Sequence, residues 1–378
     1  MSWPMVKLGE IFTISRGGSP RPIQDYITDS CNGVNWIMIG DTEPNSKYIR
    51  HTAKKIKFEG VKKSRKVYPG DLLLTNSMSF GRPYILDVEG CIHDGWLVLS
   101  PKNNQIHIDY FYHYLNSPTA KIIISNKAAG AVVKNLNSDI VRNLEIPFPP
   151  FAEQVRIAST LDKADGIRQK REQAIKLADD FLRATFLEMF GDPVQNPKGW
   201  NVKPLADQII HANNGISRRR KEDTNEGDIV LRLQDVHYSG ITFDKELNRI
   251  KLVDKEKQIA RVEYDDLLFI RVNGNPNYVG RTAVFKSYIE PVYHNDHLIR
   301  IKLDNEYQSD FLCYLINSPF SRKLIAQQIK TSAGQHTISQ DGILKLMFYR
   351  PPIELQEKFI NIKNKIESIF YRKDKHED

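Results

Sequence analysis

Residues 144–157 read Leu-Glu-Ile-Pro-Phe-Pro-Pro-Phe-Ala-Glu-Gln-Val-Arg-Ile, and residues 350–356 return a shorter version, Arg-Pro-Pro-Ile-Glu-Leu-Gln. A proline pair fixes φ and cannot sit inside a helix, so Pro149-Pro150 and Pro351-Pro352 each mark the end of a unit. From Phe151 to Phe190 there is no further proline and one glycine, Gly166. That stretch predicts a helix of about 38 residues and about 57 Å. Gly191-Asp192-Pro193 supplies its stop. A single helix that long needs a partner for its apolar stripe. The second candidate runs from Ile353 to Arg372 and is shorter.

Working outward, the chain is written twice. Trp3-Pro-Met-Val-Lys-Leu8 returns as Trp200-Asn-Val-Lys-Pro-Leu205, and Asp71-Leu-Leu-Leu74 as Asp266-Leu-Leu-Phe269. Gly81-Arg82 returns as Gly280-Arg281, His93 as His294, and Asn116-Ser-Pro118 as Asn317-Ser-Pro319. Asp139-Ile140 returns near Asp341-Gly342-Ile343. All keep the same order, each about 200 residues after its counterpart, enough for a domain with its own core. Within each unit an amphipathic stretch (Val6 to Ser15, Val202 to Ala212) leads into a turn-rich loop. Short β-like runs follow, among them Val34 to Ile39, Trp96 to Leu99, Ile229 to Leu233 and Leu298 to Leu303. A helical stretch broken by Asn-Ser-Pro then precedes the closing prolines.

The 378 residues are 40% apolar and 26% charged, a soluble globular composition. No run approaches the ~18 apolar residues of a membrane span. The opening residues carry no apolar signal core, and the three cysteines are scattered, so a reducing, cytoplasmic setting is expected. The net charge is +8. The segment Lys47 to Lys66 alone holds nine basic residues against one acid, Glu59, the footprint expected for a polyanion partner. Catalytic signatures are missing: there is no dinucleotide or phosphate-binding glycine motif and no His-Glu-x-x-His. Asn275-Pro276-Asn277-Tyr278 differs from the Asn/Asp-Pro-Pro-Tyr box of amino-methyltransferases at its third position, and reads better as a turn presenting asparagines. The matched histidines point to a shared structural role, not a metal site. The residues describe a binder, not an enzyme.

The whole chain resembles the specificity subunits of type I restriction-modification systems. The resemblance rests on Trp3 to Ile11, the Gly70 to Thr75 strand, the Asn-Ser-Pro helix and the closing motif Leu144 to Ile157, together with the duplication. It implies an α+β fold: two globular α/β target-recognition domains separated by long helices that pair as an antiparallel coiled coil. The expected boundaries are 1–150 for the first recognition domain and 151–193 for the first helical spacer. The second domain takes 194–352, and the second, short helical region 353–378. Leu161, Ile175, Leu182 and Met189 are expected to face Phe359, Ile366 and Ile369. Each domain would read one half of a split duplex DNA target, spaced by turns of about 34 Å. Two modification subunits would carry the S-adenosylmethionine chemistry. Restriction subunits would add ATP- and magnesium-dependent translocation and cleavage. No cofactor is expected in this chain.

Loop position and side-chain type nominate the DNA contacts, since arginine suits guanine and asparagine or glutamine suits adenine. In the first domain these are Arg16, Ser19, Arg21, Asn76, Ser77, Ser79, Arg82 and Lys134. Lys54, Lys55, Lys57, Lys62 and Lys63 are expected on phosphates. In the second they are Arg218, Arg219, Arg220, Arg271, Asn273, Asn275, Asn277, Tyr278, Arg281, Gln335 and His336.

Overall fold

The computed structural model describes residues 3–43, 46–76, 81–129, 136–217, 226–238, 240–243, 246–332 and 334–370. The chain divides into two compact units, Met1–Arg171 and Glu172–Asp378. A continuous helix, Phe151–Phe190, contributes residues to both units, each of which is otherwise rich in sheet.

In the first unit a five-stranded sheet has the order Phe12–Arg16, Trp96–Pro101, Leu72–Thr75, Pro83–Leu86, Tyr48–Ile49. A second sheet has Ile27–Thr28, Lys54–Ile56, Val34–Ile37, Gly90–Ile92 and Arg65–Val67. The second unit repeats these two sheets with fewer strands in each among the described residues. Ile209–Asn214, Leu298–Leu303, Leu267–Ile270 and Thr282–Val284 form one sheet, and Arg249–Ile250, Asp228–Leu231 and Val292–His294 another. In both second sheets one pair is parallel, Trp36 beside Cys91 and Val230 beside Tyr293. Leu72, Leu73 and Leu74 are all fully buried, as are Leu267, Leu268 and Phe269. A strand covered on both faces needs such an unbroken apolar run.

The repeated motifs have identifiable backbone jobs. Asp71 accepts the Tyr68 N–H (2.9 Å) and Asp266 the Glu263 N–H (2.7 Å), each closing the turn that feeds its strand. Asn-Ser-Pro splits Ile108–Asn116 from Pro118–Ala129, and Ser309–Asn317 from Pro319–Gln328. The amphipathic openings are strand, short helical turn and strand, not one element, because Leu8 and Leu205 donate their N–H groups back to Leu144 and Leu346 (both 2.9 Å).

The glutamine of the closing motif clamps each unit. Gln154 accepts the His107 N–H (2.9 Å) and donates to Gln105 and Pro149 carbonyls. Gln356 does the same with Gln308, Glu306 and Pro351. Both are fully buried. Gln154→Ala or Gln356→Ala is expected to cost about 1–3 kcal/mol, since buried backbone groups lose their partners. Urea unfolding of each variant checks this.

The long and closing helices meet in the second unit's core, where Phe186 and Phe190 lie 5.4 and 5.8 Å from Phe359, ring to ring. The first turns of Ile353–Phe370 thus meet the last turns of the long helix, as an antiparallel pair requires. The buried row of the long helix here is Ala178, Leu182, Phe186 and Phe190. Of the expected pairing residues, Leu182 and Phe359 are buried, Ile175, Met189 and Ile366 half-buried, and Leu161 and Ile369 exposed. The two rows share Leu182; the second unit's aromatic cluster takes up Phe186 and Phe190 and leaves Met189 half-buried beside them.

His294 is fully buried and donates Nδ1–H to the Ala260 carbonyl (2.8 Å). Burial, helped by the nearby Arg300 charge, pushes its pKa down to about 4 against that bond. The unfolded chain takes up this proton first as pH falls. The second unit should therefore lose stability between pH 6.5 and pH 4, and His294→Gln should flatten the loss in pH-dependent melting curves.

Candidate nucleic-acid interface

Three segments distant in sequence meet in the first unit: the loop after Phe12–Arg16, the turn Lys57–Ser64, and the turn His93–Gly95. Gly17 and Gly18 donate their N–H groups to Trp96 (2.9 Å) and Ile92 (3.1 Å) carbonyls. The approach leaves no space at Gly17, where a β-carbon would collide with the His93 carbonyl. Gly60 in turn lies against Pro20 and Tyr26.

Asp94 is the hub of this surface. Its backbone carbonyl accepts from Arg16 Nε (3.0 Å) and Asn76 Nδ2 (2.7 Å). Its carboxylate accepts from Ser19 Oγ (2.9 Å), and Arg21 stands 3.7 Å away. Burial by itself would raise the Asp94 carboxyl, but the Ser19 hydroxyl and its own backbone N–H outweigh that and hold it below the usual range. Four nominated residues are thus brought together by an acid that sequence reasoning missed. Its signal was available, because Asp94 and Asp296 sit just after the matched histidines. Asn76 is itself buried, so it builds the frame and does not line the exterior.

The basic segment is divided. Lys47 turns inward and donates to Asp109 (2.7 Å) and Asp162 (2.6 Å). Burial would lower its pKa, but the two carboxylates outweigh it and hold it above the ordinary lysine value. Arg50 pairs with Asp87 (3.3 Å) and Lys66 with Glu89 (2.6 Å). Lys54, Lys55, Lys57, Lys62, Lys63 and Arg65 have no acidic side-chain partner among the described residues. Lys57 donates to the Asp25 carbonyl (2.8 Å), and Lys63 caps the Tyr26 hydroxyl (2.5 Å). Of these, the turn that carries Lys57, Lys62 and Lys63 lies beside the Arg16–Arg21 loop, with Gly60 against Pro20 and Gly18 against the Lys63 carbonyl. Arg82 is exposed and packs over Tyr84, 5.4 Å from the ring centre.

The second unit repeats the frame with other side chains. Gly215 is pressed against the His294 and Asn295 carbonyls, as Gly17 is against His93. Ile216 N–H donates to His294 (3.1 Å) and Asp296 N–H to Ile216 (3.0 Å). Arg271 takes the place of Asn76. Its N–H donates to His297 (2.8 Å) where that of Asn76 donates to Gly95 (3.0 Å), and its Nη1 donates to the Asp296 carbonyl (3.1 Å).

Beyond Arg271 the asparagines form a staircase of side-chain turns. Asn273 Oδ1 accepts the Asn275 N–H (2.9 Å), and Asn275 Oδ1 accepts the Asn277 N–H (3.0 Å). Arg281 donates Nε to the Asn277 carbonyl (2.9 Å) and lies 4.1 Å over the Tyr278 ring. Asn273 also pairs with His336 across a small sheet that includes Gln335. Asn275, Asn277, Tyr278 and Gln335 are exposed. Such a surface offers amides, a guanidinium and an aromatic face, the groups that read base edges. Ser77, Ser79, Lys134, Arg218, Arg219 and Arg220 lie outside the described residues.

Comparisons with known proteins bear on this surface. Residues 2–177 match the family model of the type I restriction modification DNA specificity domain. The chain is 30% identical over 329 residues to the type I restriction enzyme StySPI specificity subunit of Salmonella potsdam, covering 82% of this chain and 70% of that protein. It is 24% identical to the EcoKI specificity subunit of Escherichia coli K12, over 82% and 70% of the two chains. In fold it is similar to the S subunit of a type I restriction-modification system from M. genitalium, with a TM-score of 0.58 at 17% identity, covering 98% of this chain and 90% of that one.

Proposed function

The chain belongs to the family of type I restriction-modification specificity subunits, and from that premise we propose that each of its two recognition units reads one block of a split duplex DNA target. The observation that carries this reading is the duplicated frame with unlike side chains. Asp94 and Asp296 hold the same place, yet Asn76 meets one and Arg271 the other. Equal frames suit two sites on one duplex, and the unlike exposed side chains around them, Arg16 and Arg21 in one unit and Asn275, Asn277 and Tyr278 in the other, suit two different half-sites. Lys54, Lys55, Lys57, Lys62 and Lys63 would meet phosphates and fix register without reading sequence. The helices would set the gap and dock two modification subunits, and restriction subunits would join that assembly. S-adenosylmethionine would belong to the modification subunits, and ATP and magnesium to the restriction subunits. This chain would then contribute address and assembly, not chemistry.

A map of methylated bases in the host genome, with and without the gene, tests the reading. One motif of two short blocks and a fixed gap should lose methylation on both strands. Loss of no motif, with partner subunits expressed, would sink the reading. Within the assembled complex, Arg271→Ala should weaken binding by about 1–3 kcal/mol, and only through one block. An equal loss on every sequence would instead make Arg271 a phosphate contact, as would a salt slope shallower by about one.

A further inference from the structure

We propose that Arg322 is the positioning residue that sets the shape of the asparagine staircase, and so governs which bases the second unit accepts. The inference rests on the reading that the Arg271–Arg281 loop meets DNA. Arg322 lies on the helix Pro319–Gln328, outside the loop. Its Nη2 donates to the Val279 carbonyl (2.8 Å), the Asn277 carbonyl (3.3 Å) and, at the limit of bonding, the Pro276 carbonyl (3.5 Å). One planar cation thus gathers carbonyls from the turn that presents Asn277 and Tyr278. The same helix leaves no slack, because Ile325 closes on Gly280, where a β-carbon would come within 2.6 Å.

Arg322 does not itself face DNA in this arrangement. It is half-buried, and its Nη1 is buried without a hydrogen-bond partner among the described residues. Arg281 also donates to the Asn277 carbonyl and lies over Tyr278. Two arginines from different elements thus hold one backbone segment, Arg322 through three carbonyls and Arg281 beside the exposed Tyr278. Lysine would bring a point charge on a flexible stem, without the planar group that holds Nη2 at these carbonyls.

The test is the methylation map of hosts carrying Arg322→Ala, Arg322→Lys or Tyr278→Ala in the full complex. Arg322→Ala should relax one block of the split motif, with methylation at off-motif bases rising about tenfold or more, while the other block stays intact. Arg322→Lys should relax the same block to a smaller degree. Tyr278→Ala identifies the block that the loop reads. If Tyr278→Ala alters a block and Arg322→Ala alters neither, or both equally, the positioning role is overturned. The same holds if Arg322→Ala flattens the salt dependence of binding, which would make it a phosphate contact. If Tyr278→Ala leaves both blocks unchanged, the reading of the loop fails first, and this proposal falls with it. Should Arg322→Ala fail to accumulate, Arg322→Lys decides the question alone.

Discussion

Phe186→Ala is expected to lower the stability of the second unit by about 3–5 kcal/mol, the cost of emptying a large aromatic site in a packed core. Phe186 is fully buried, and its ring centre lies 5.1 Å from Phe190, 5.3 Å from Tyr314, 5.4 Å from Phe359 and 5.9 Å from Phe311. These rings come from the long helix, the closing helix and Ser309–Asn317. No single neighbour can collapse into the space, because each is held by the others. The loss should reach the recognition surface as well. Asn317, at the end of the helix Ser309–Asn317, bonds Thr282 through both its amide oxygen (3.2 Å) and its amide nitrogen (2.8 Å), directly after Arg281. Urea unfolding of the full chain checks the prediction, with Phe181→Ala as the control. Phe181 is on the same helix but 56% exposed, so its loss should stay within about 0.5 kcal/mol. Equal losses for the two would show that the ring cluster does not carry the unit.

The duplication was legible because each repeated motif does a local backbone job that leaves its own residue signature. Asp71 and Asp266 close turns, Asn-Ser-Pro breaks a helix, and Gln154 and Gln356 clamp a loop to a helix start. The surface was only half legible. Residue type and loop position found Asn273, Asn275, Asn277, Tyr278 and Arg281, which the fold does bring together. They could not show that Asn76 spends its amide on Asp94, or that Lys47 turns inward to Asp109 and Asp162. Those facts depend on partners up to 115 residues away, and no local pattern encodes them. The helix stripe is legible in part: heptad spacing finds Leu182, which is buried, but not Phe186 and Phe190, because the surface they face is a cluster of aromatic rings.

Gly17→Ala and Gly215→Ala are expected to damage recognition of opposite blocks of the split target. Neither glycine adopts the left-handed backbone that favours glycine, unlike Gly81 and Gly280, so the penalty is one of space. At both positions the obstacle is a backbone carbonyl, which cannot rotate away as a side chain can. The loop must lift, and the bonds it carries must stretch: Gly17 to Trp96 and Gly18 to Ile92 in one unit, Ile216 to His294 and Asp296 to Ile216 in the other. Overpacking costs about 1–3 kcal/mol and each strained hydrogen bond about 0.5–1.5 kcal/mol. With two such bonds at each site, a loss of about 2–6 kcal/mol is the expected sum. In the first unit the lifted loop takes Arg16, Ser19 and Arg21 away from Asp94. In the second it disturbs the turn on which Arg271 rests. Gly166→Ala is the matched control, because it lies in the long helix with open space around it and should stabilise by about 0.5–1 kcal/mol. Methylation maps of the three variants give the readout. Gly17→Ala should relax one block, Gly215→Ala the other, and Gly166→Ala neither. If both loop variants relaxed the same block, the assignment of one unit to each half-site would fail, whatever the stability data said.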